Sequence, residues 1–64
     1  MKYPNIYVKL AGEDGNAFSI LARVATALKK AGVSKEEINK FKEEATSSDY
    51  THLLSVVMEW VNTD

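Results

Sequence analysis

Near the amino end of the chain lies the segment Ile6-Tyr7-Val8-Lys9-Leu10, in which apolar residues alternate with Tyr7 and Lys9. A period of two is typical of a β-strand that buries one face. The rest of the chain has helical periodicity, so the sequence predicts no second strand beside this one. Because a strand edge with unpaired N–H and C=O groups favours pairing with another chain, we predict a homodimer joined by antiparallel pairing of residues 5–10.

Three helices are predicted after the strand. The predicted bounds are a strand over 5–11 and helices over 17–31, 34–46 and 50–62. The first helix has a wide apolar arc and is followed by Gly32, a residue suited to the left-handed position after a helix. Ser34 and Glu37 have the spacing of a capping box at the start of the second helix. The third has an apolar stripe at i, i+3, i+4 and i+7, which favours a helix; the strand propensity of Val56 and Val57 leaves a strand as the alternative.

This pattern indicates an α+β fold: a single β-α-α-α domain over residues 1–64. We expect the first and third helices to form the core together with the strand, and the second helix, with few apolar positions, to lie on the surface. Phe18 and Phe41 are predicted core residues.

Composition narrows the function classes. The chain has 64 residues, a net charge of −1 and no cysteine. A disulfide scaffold and a thiolate zinc site are therefore excluded, and the near-neutral balance predicts no long-range attraction to polyanions. No apolar run approaches the ~18–20 residues that span a bilayer. We expect a cytoplasmic protein without a membrane partner.

The turn Gly12-Glu13-Asp14-Gly15-Asn16 is the first candidate for ligand binding, because it lies between a strand and a helix amino terminus, where backbone amides can receive an anion. Glu13 and Asp14 would repel a phosphate, and three oxygen-bearing residues are too few for a calcium loop. Turn formation, with Asp14 or Asn16 capping the next helix, is the favoured interpretation. We predict no metal and no cofactor.

His52, the one histidine of the chain, is the second candidate. The helical wheel places it nearly opposite the apolar stripe, on a solvated face, with Ser55 and Glu59 as its nearest neighbours. A catalytic histidine needs a partnered nucleophile or carboxylate, and no such constellation is visible. We therefore predict an ordinary surface histidine and a protein that is not an enzyme.

Aromatic residues outside the predicted core are the third candidate. Trp60 lies off the stripe of the third helix, and Tyr3 and Tyr7 share the strand face opposite Ile6. Such residues serve as interface anchors or cover the flank of a small core, and the sequence leaves both open. The candidate interface residues are Tyr3, Tyr7, Lys9 and Trp60.

The segments LAGEDGNAFSILARV, over 10–24, and AGVSKEEINKFKEEATSSDYTHLLSVVMEW, over 31–60, resemble a family of short proteins from bacteria, phages and mobile elements. Those proteins have a similar G-x-D-G-N-A-F motif, an A-G-V turn, and a D-Y-x-H-L-L segment before a tryptophan. The resemblance implies a mobile-element context and no catalytic residues. The positions that match the signature are Asp14, Gly15, Asn16, Tyr50, His52 and Trp60.

A strand, a helix and then AGVSKEE at the start of another helix are similar to the ribbon-helix-helix repressors. Those proteins are dimers whose intermolecular β-ribbon reads the major groove. The resemblance implies outward ribbon side chains at Tyr7 and Lys9, with Asn5 at the edge. The turn over 11–16 is longer than in that pattern, and a third apolar helix is present.

The leading hypothesis is a non-catalytic accessory protein, of phage or mobile-element type, that binds another macromolecule, with a protein as the predicted partner. The alternative is a small DNA-binding regulator similar to the ribbon-helix-helix proteins. Charge placement separates the two, because a DNA-binding protein gathers its cations on one face. The residues to be gathered are Lys2, Lys9, Arg23, Lys29 and Lys30.

Overall fold

The computed structural model describes residues 1–64 and has the order strand, three helices, strand. The elements are β1 (Tyr3–Val8), α1 (Ala17–Lys30), α2 (Lys35–Ala45), α3 (Tyr50–Trp60) and β2 (Val61–Thr63). The α+β class and the three helices are confirmed. The sequence predicts no second strand, and β2 takes Val61 and Asn62 from the end of the predicted third helix.

The two strands form a parallel pair, in which Tyr3 is opposite Val61 and Val8 is opposite Thr63. Parallel neighbours need a long crossover, and the three helices supply it. The first strand begins at Tyr3 rather than at residue 5 and ends at Val8 rather than at residue 11. The prediction that this strand lacks a partner in its own chain is therefore wrong, because β2 occupies one of its edges.

The pairing is irregular in the middle, since Tyr7 is opposite Asn62, the residue directly after the partner of Tyr3. Residues 4–6 thus have no paired counterpart in β2. The Asn62 side chain donates a hydrogen bond to the carbonyl of Pro4 within this irregularity. Beyond β2, Asp64 Oδ1 accepts from the amide of Leu10 at 2.9 Å. Side chains therefore satisfy backbone groups that the short ladder leaves unpaired.

Helix α1 ends as the sequence predicts. Gly32 has a φ of +86°, and the amide of Val33 donates to the carbonyl of Leu28 at 3.0 Å. This is the six-to-one bond of a Schellman motif, which needs a residue in the left-handed region at Gly32.

The start of α2 is half of a capping box. Ser34 Oγ accepts from the amide of Glu37 at 3.2 Å, as predicted. The Glu37 carboxylate does not complete the box but instead accepts from Lys2 Nζ at 3.3 Å and from Tyr3 Oη at 3.4 Å. Glu37, which the sequence predicts to complete the capping box, thus links α2 to β1.

The core contains α2 as well as the other helices. Phe41 and Ala45 are fully buried, and α2 contacts both α1 and α3 more extensively than those two contact each other. The polar side of α2 lies on the surface, as the sequence predicts, but its apolar side, with Ile38, Phe41 and Ala45, belongs to the core together with α1 and α3. Phe41 is confirmed as core, whereas Phe18 is 81% exposed at the start of α1.

Candidate functional site

The Gly12–Asn16 turn is held by its own side chains. Asn16 Oδ1 accepts from the amide of Phe18 at 2.8 Å and so caps α1. Asp14 accepts from the amide of Asn16 at 3.0 Å through one oxygen and from Ser19 Oγ at 3.1 Å through the other. The capping role is confirmed for Asn16, while Asp14 shapes the turn before it.

Two longer contacts fasten this turn to the helices. Tyr50 Oη, on α3, donates to the carbonyl of Gly15 at 2.6 Å. Arg23 Nη2, on α1, lies 2.6 Å from Glu13 Oε1. The oxygens that a cation would need are thus engaged by donors of the chain itself. Nowhere in the molecule do three or more His, Asp or Glu side chains form a group that could hold a metal ion.

His52 is half-buried and contacts the end of α2. Its Nε2 lies 3.0 Å from the carbonyl oxygen of Glu44 and 3.1 Å from Ser47 Oγ. Because a carbonyl can only accept, Nε2 carries the hydrogen. The Glu44 carbonyl lies in the last turn of α2, where carbonyls lack partners within the helix, and it also accepts from the amide and the hydroxyl of Ser47. His52 therefore caps a neighbouring helix, and its bonded partners are not the predicted Ser55 and Glu59.

Trp60 belongs to the core. Its side chain is 2% exposed, and its ring lies 5.4 Å from Phe41 and 6.0 Å from Tyr3 between centroids. Nε1 lies 3.3 Å from a carboxylate oxygen of Glu44, and Lys2 Nζ lies 4.0 Å from the ring centroid. Trp60 is thus a core residue and Tyr3 packs against the core, which is the second of the two roles that the sequence leaves open. The chain enters β2 directly after Trp60, and the paired amino-terminal segment covers the indole.

Tyr7 and Lys9, the other two interface candidates, stay exposed, and the Tyr7 side chain keeps 77% of its accessible surface. They line a shallow groove between β1 and α1, whose other cations are Arg23 and Lys30. The remaining lining residues are Val8, Ala22, Thr26 and Ala27. We call this the strand groove.

A second groove runs between α1 and α2, and its cations are Lys29, Lys35 and Lys42. Its remaining lining residues are Ala25, Thr26, Val33, Ile38 and Asn39. We call it the helix groove. Thr26 lines both grooves, so the two meet across the exposed side of α1, and no Asp or Glu lines either of them.

The two grooves together form the basic face of the molecule. They hold six of the eight basic side chains of the chain. Among these six, Arg23 has an acidic partner, whereas the five lysines have no carboxylate within ion-pairing distance. Lys2, the other paired cation, lies away from this face beside Glu37 and Trp60.

Only part of this face is evident from the sequence. Four of the five cations named as the mark of a DNA-binding protein do lie on it, and Lys2 does not. Lys35 and Lys42 are not among the five and lie on the helix that the sequence predicts at the surface. Their spacing of seven residues, which places them on one side of α2 together with Ile38 and Asn39, is the signal that would have found them.

No protein-family model matches the chain, and comparison with curated proteins and with solved structures found no match. The resemblances to the mobile-element family and to the ribbon-helix-helix proteins therefore stay predictions. The signature positions nevertheless share a structural role, because Asn16, Tyr50 and His52 each bond to a helix end or to the turn before one. No helix here combines the length and apolar character that crossing a bilayer requires.

Proposed function

We propose that this protein is a non-catalytic binding domain that attaches to an anionic macromolecule through its basic face. The observation that carries the proposal is the segregation of charge: six cations and no Asp or Glu line two adjoining grooves, and five of the six cations form no ion pair. The proposal keeps the interaction function expected from the sequence and adds that the partner is negatively charged. The phage or mobile-element context stays a prediction.

The net charge of −1 does not argue against such a partner. Exposed charges are screened beyond about 10 Å at 0.1 M salt, whereas the molecule measures 25 × 24 × 18 Å. A partner seated on the basic face therefore experiences the nearby lysines far more strongly than the carboxylates on the other sides. The local potential, not the sum of charges, governs binding.

Support for a non-catalytic role comes from the use of the polar side chains. His52, Asp14 and Tyr50, the groups with the best acid–base or ligand chemistry in the chain, each hold the end of a helix or the turn between β1 and α1. A general acid or base must be free to exchange its proton with a substrate. Here the same atoms stabilise the fold.

Cation-exchange chromatography at pH 7.5 and low salt tests the proposal without a known ligand. The sequence pI is about 5.7, so a protein with evenly spread charge would not be retained. We expect retention, because the resin can bind the basic face alone. Lys42→Gln should elute at clearly lower salt than the unmodified protein.

Lys40→Gln is the matched control, since Lys40 is also an exposed lysine of α2 but lines neither groove. Its elution should change much less. Flow-through of the unmodified protein, or equal shifts for the two variants, would overturn the proposal.

A further inference from the structure

Tyr7 places an aromatic ring among the cations of the strand groove. It is 77% exposed, while its neighbour Val8 is 6% exposed, so the ring stands on the solvent side of β1. Lys9 follows two residues later, on the same side of the extended chain. Arg23 and Lys30 border the groove from α1. A ring with an open face and three cations around it can bind both a flat apolar group and a chain of negative charges.

The cations of α1 extend this site into a track. Arg23 and Lys30 are seven residues apart, which corresponds to about 10 Å along a helix. Nucleotides in a stacked strand rise by about 3.4 Å each, so the two cations span roughly three nucleotides. The Arg23 guanidinium is held by Glu13, whereas Lys9 and Lys30 form no ion pair.

We infer that the anionic macromolecule is a single-stranded nucleic acid. One base of the strand stacks on Tyr7, and phosphates of the strand lie beside Lys9 and Lys30. The inference rests on the proposed function and names its partner class. Single strands are bound by positively charged grooves with aromatic stacking platforms. An acidic polypeptide has carboxylates for the lysines but no base for Tyr7.

A duplex fits the same groove less well. Its bases are already stacked on one another, and a base must be unpaired and unstacked before it can lie on Tyr7. The free strand presents its bases without that step. Moreover, β1 already pairs in parallel with β2 of its own chain, so on that edge it cannot form an intermolecular ribbon for the major groove.

The test is fluorescence anisotropy with labelled 12-nucleotide oligo(dT) in 50 mM salt. We expect saturable binding that weakens with added salt. Tyr7→Leu should weaken it by about 5- to 150-fold, the range that corresponds to stacking of one base, whereas Tyr7→Phe should bind within about 2-fold of the unmodified protein because the ring remains. Since Tyr7 is largely exposed, both variants should fold, and circular dichroism checks this.

Salt dependence provides a second measurement. Each phosphate neutralised on a single strand contributes about 0.7 to the slope of log affinity against log salt concentration. Lys30→Gln should therefore lower the slope by about 0.7, while Lys40→Gln should leave it unchanged.

Two competitors decide between partner classes: a self-complementary duplex of the same length and a 12-residue polyglutamate. Weaker binding of both supports the inference. Equal binding of either, together with an unaffected Tyr7→Leu variant, overturns it. In that event, retention on the cation exchanger would leave the broader proposal of an anionic partner standing. Failure of oligo(dT) to bind overturns the inference, and loss of retention as well overturns both.

Discussion

At the scale of single residues, Asp64 shows how one side chain completes a backbone ladder. Its carboxylate accepts from the amides of Leu10 and Ala11, at 2.9 and 3.4 Å, just past the last residue of β2. The hydrogen bond from the Leu10 amide is the main reason that the pKa of Asp64 lies below its ordinary value of 3.8. The charged form is thus the one that fastens the two ends of the chain together.

A lowered pKa makes this contribution to stability depend on pH. A carboxylate whose pKa is lower in the folded state stabilises the fold above the unfolded-state pKa, and the stabilisation is lost as pH falls through the folded-state pKa. We expect Asp64→Asn to be less stable than the unmodified protein at pH 7 and the difference to shrink below pH 3.8.

Urea denaturation at pH 7 and pH 2.5, followed by the fluorescence of the buried Trp60, measures both free energies of unfolding. A difference between the two proteins that is the same at both pH values would contradict the role assigned to the Asp64 charge.

At the scale of elements, α2 shows that helix position does not follow from the count of apolar residues. The residues Ile38, Phe41 and Ala45 are buried, and the Phe41 ring meets Trp60 edge to face at 5.4 Å. The larger apolar arc of α1 extends beyond the area that its neighbours cover, which leaves Phe18 exposed. Burial is decided by what lies opposite a face, not by the width of that face.

We therefore expect a large loss of stability from truncating Phe41 and a small change from truncating Phe18. Phe41→Ala should cost about 3–5 kcal/mol, the usual loss for a fully buried aromatic ring, and a domain of this size rarely has more than about 3–5 kcal/mol to lose. Phe18→Ala should change the free energy of unfolding by about 0.5 kcal/mol or less. Thermal and urea unfolding measure the pair, and similar losses in both variants would refute this picture of the core.

At the scale of the whole molecule, the structure changes the basis of the predicted homodimer. The sequence suggested a strand with both edges open, whereas β2 covers one edge of β1 and no strand lies on the other. A homodimer through β1 thus stays a prediction for the remaining edge alone, where unpaired backbone groups favour addition of a strand.

Light scattering during size-exclusion chromatography measures this directly. Pairing across the remaining edge should yield twice the chain mass of 7.1 kDa at high micromolar concentration and the single mass on dilution. A monomer at every concentration would contradict the predicted homodimer and show that β1 pairs with β2 alone.

The sequence by itself determined the three helices and their ends, except the end of α3. The bonds at Asn16, Gly32 and Ser34, which begin or end α1 and α2, join residues no more than five positions apart. Residues separated by so few positions come into contact whenever the local backbone is helical, so the identities of the capping residues are sufficient to predict these helix ends.

Only the tertiary structure decided the second strand, the burial of Trp60 and the gathering of cations from β1, α1 and α2 into one face. Val61 continues the apolar spacing of α3, but Val61-Asn62-Thr63 forms a strand because it pairs with β1. The residues that meet there are far apart in the sequence, since Pro4 and Asn62 are separated by 58 positions. Bringing such distant residues together has an entropic cost that local hydrogen bonds cannot offset. Packing of the helices between them offsets it, and that packing depends on the whole chain at once.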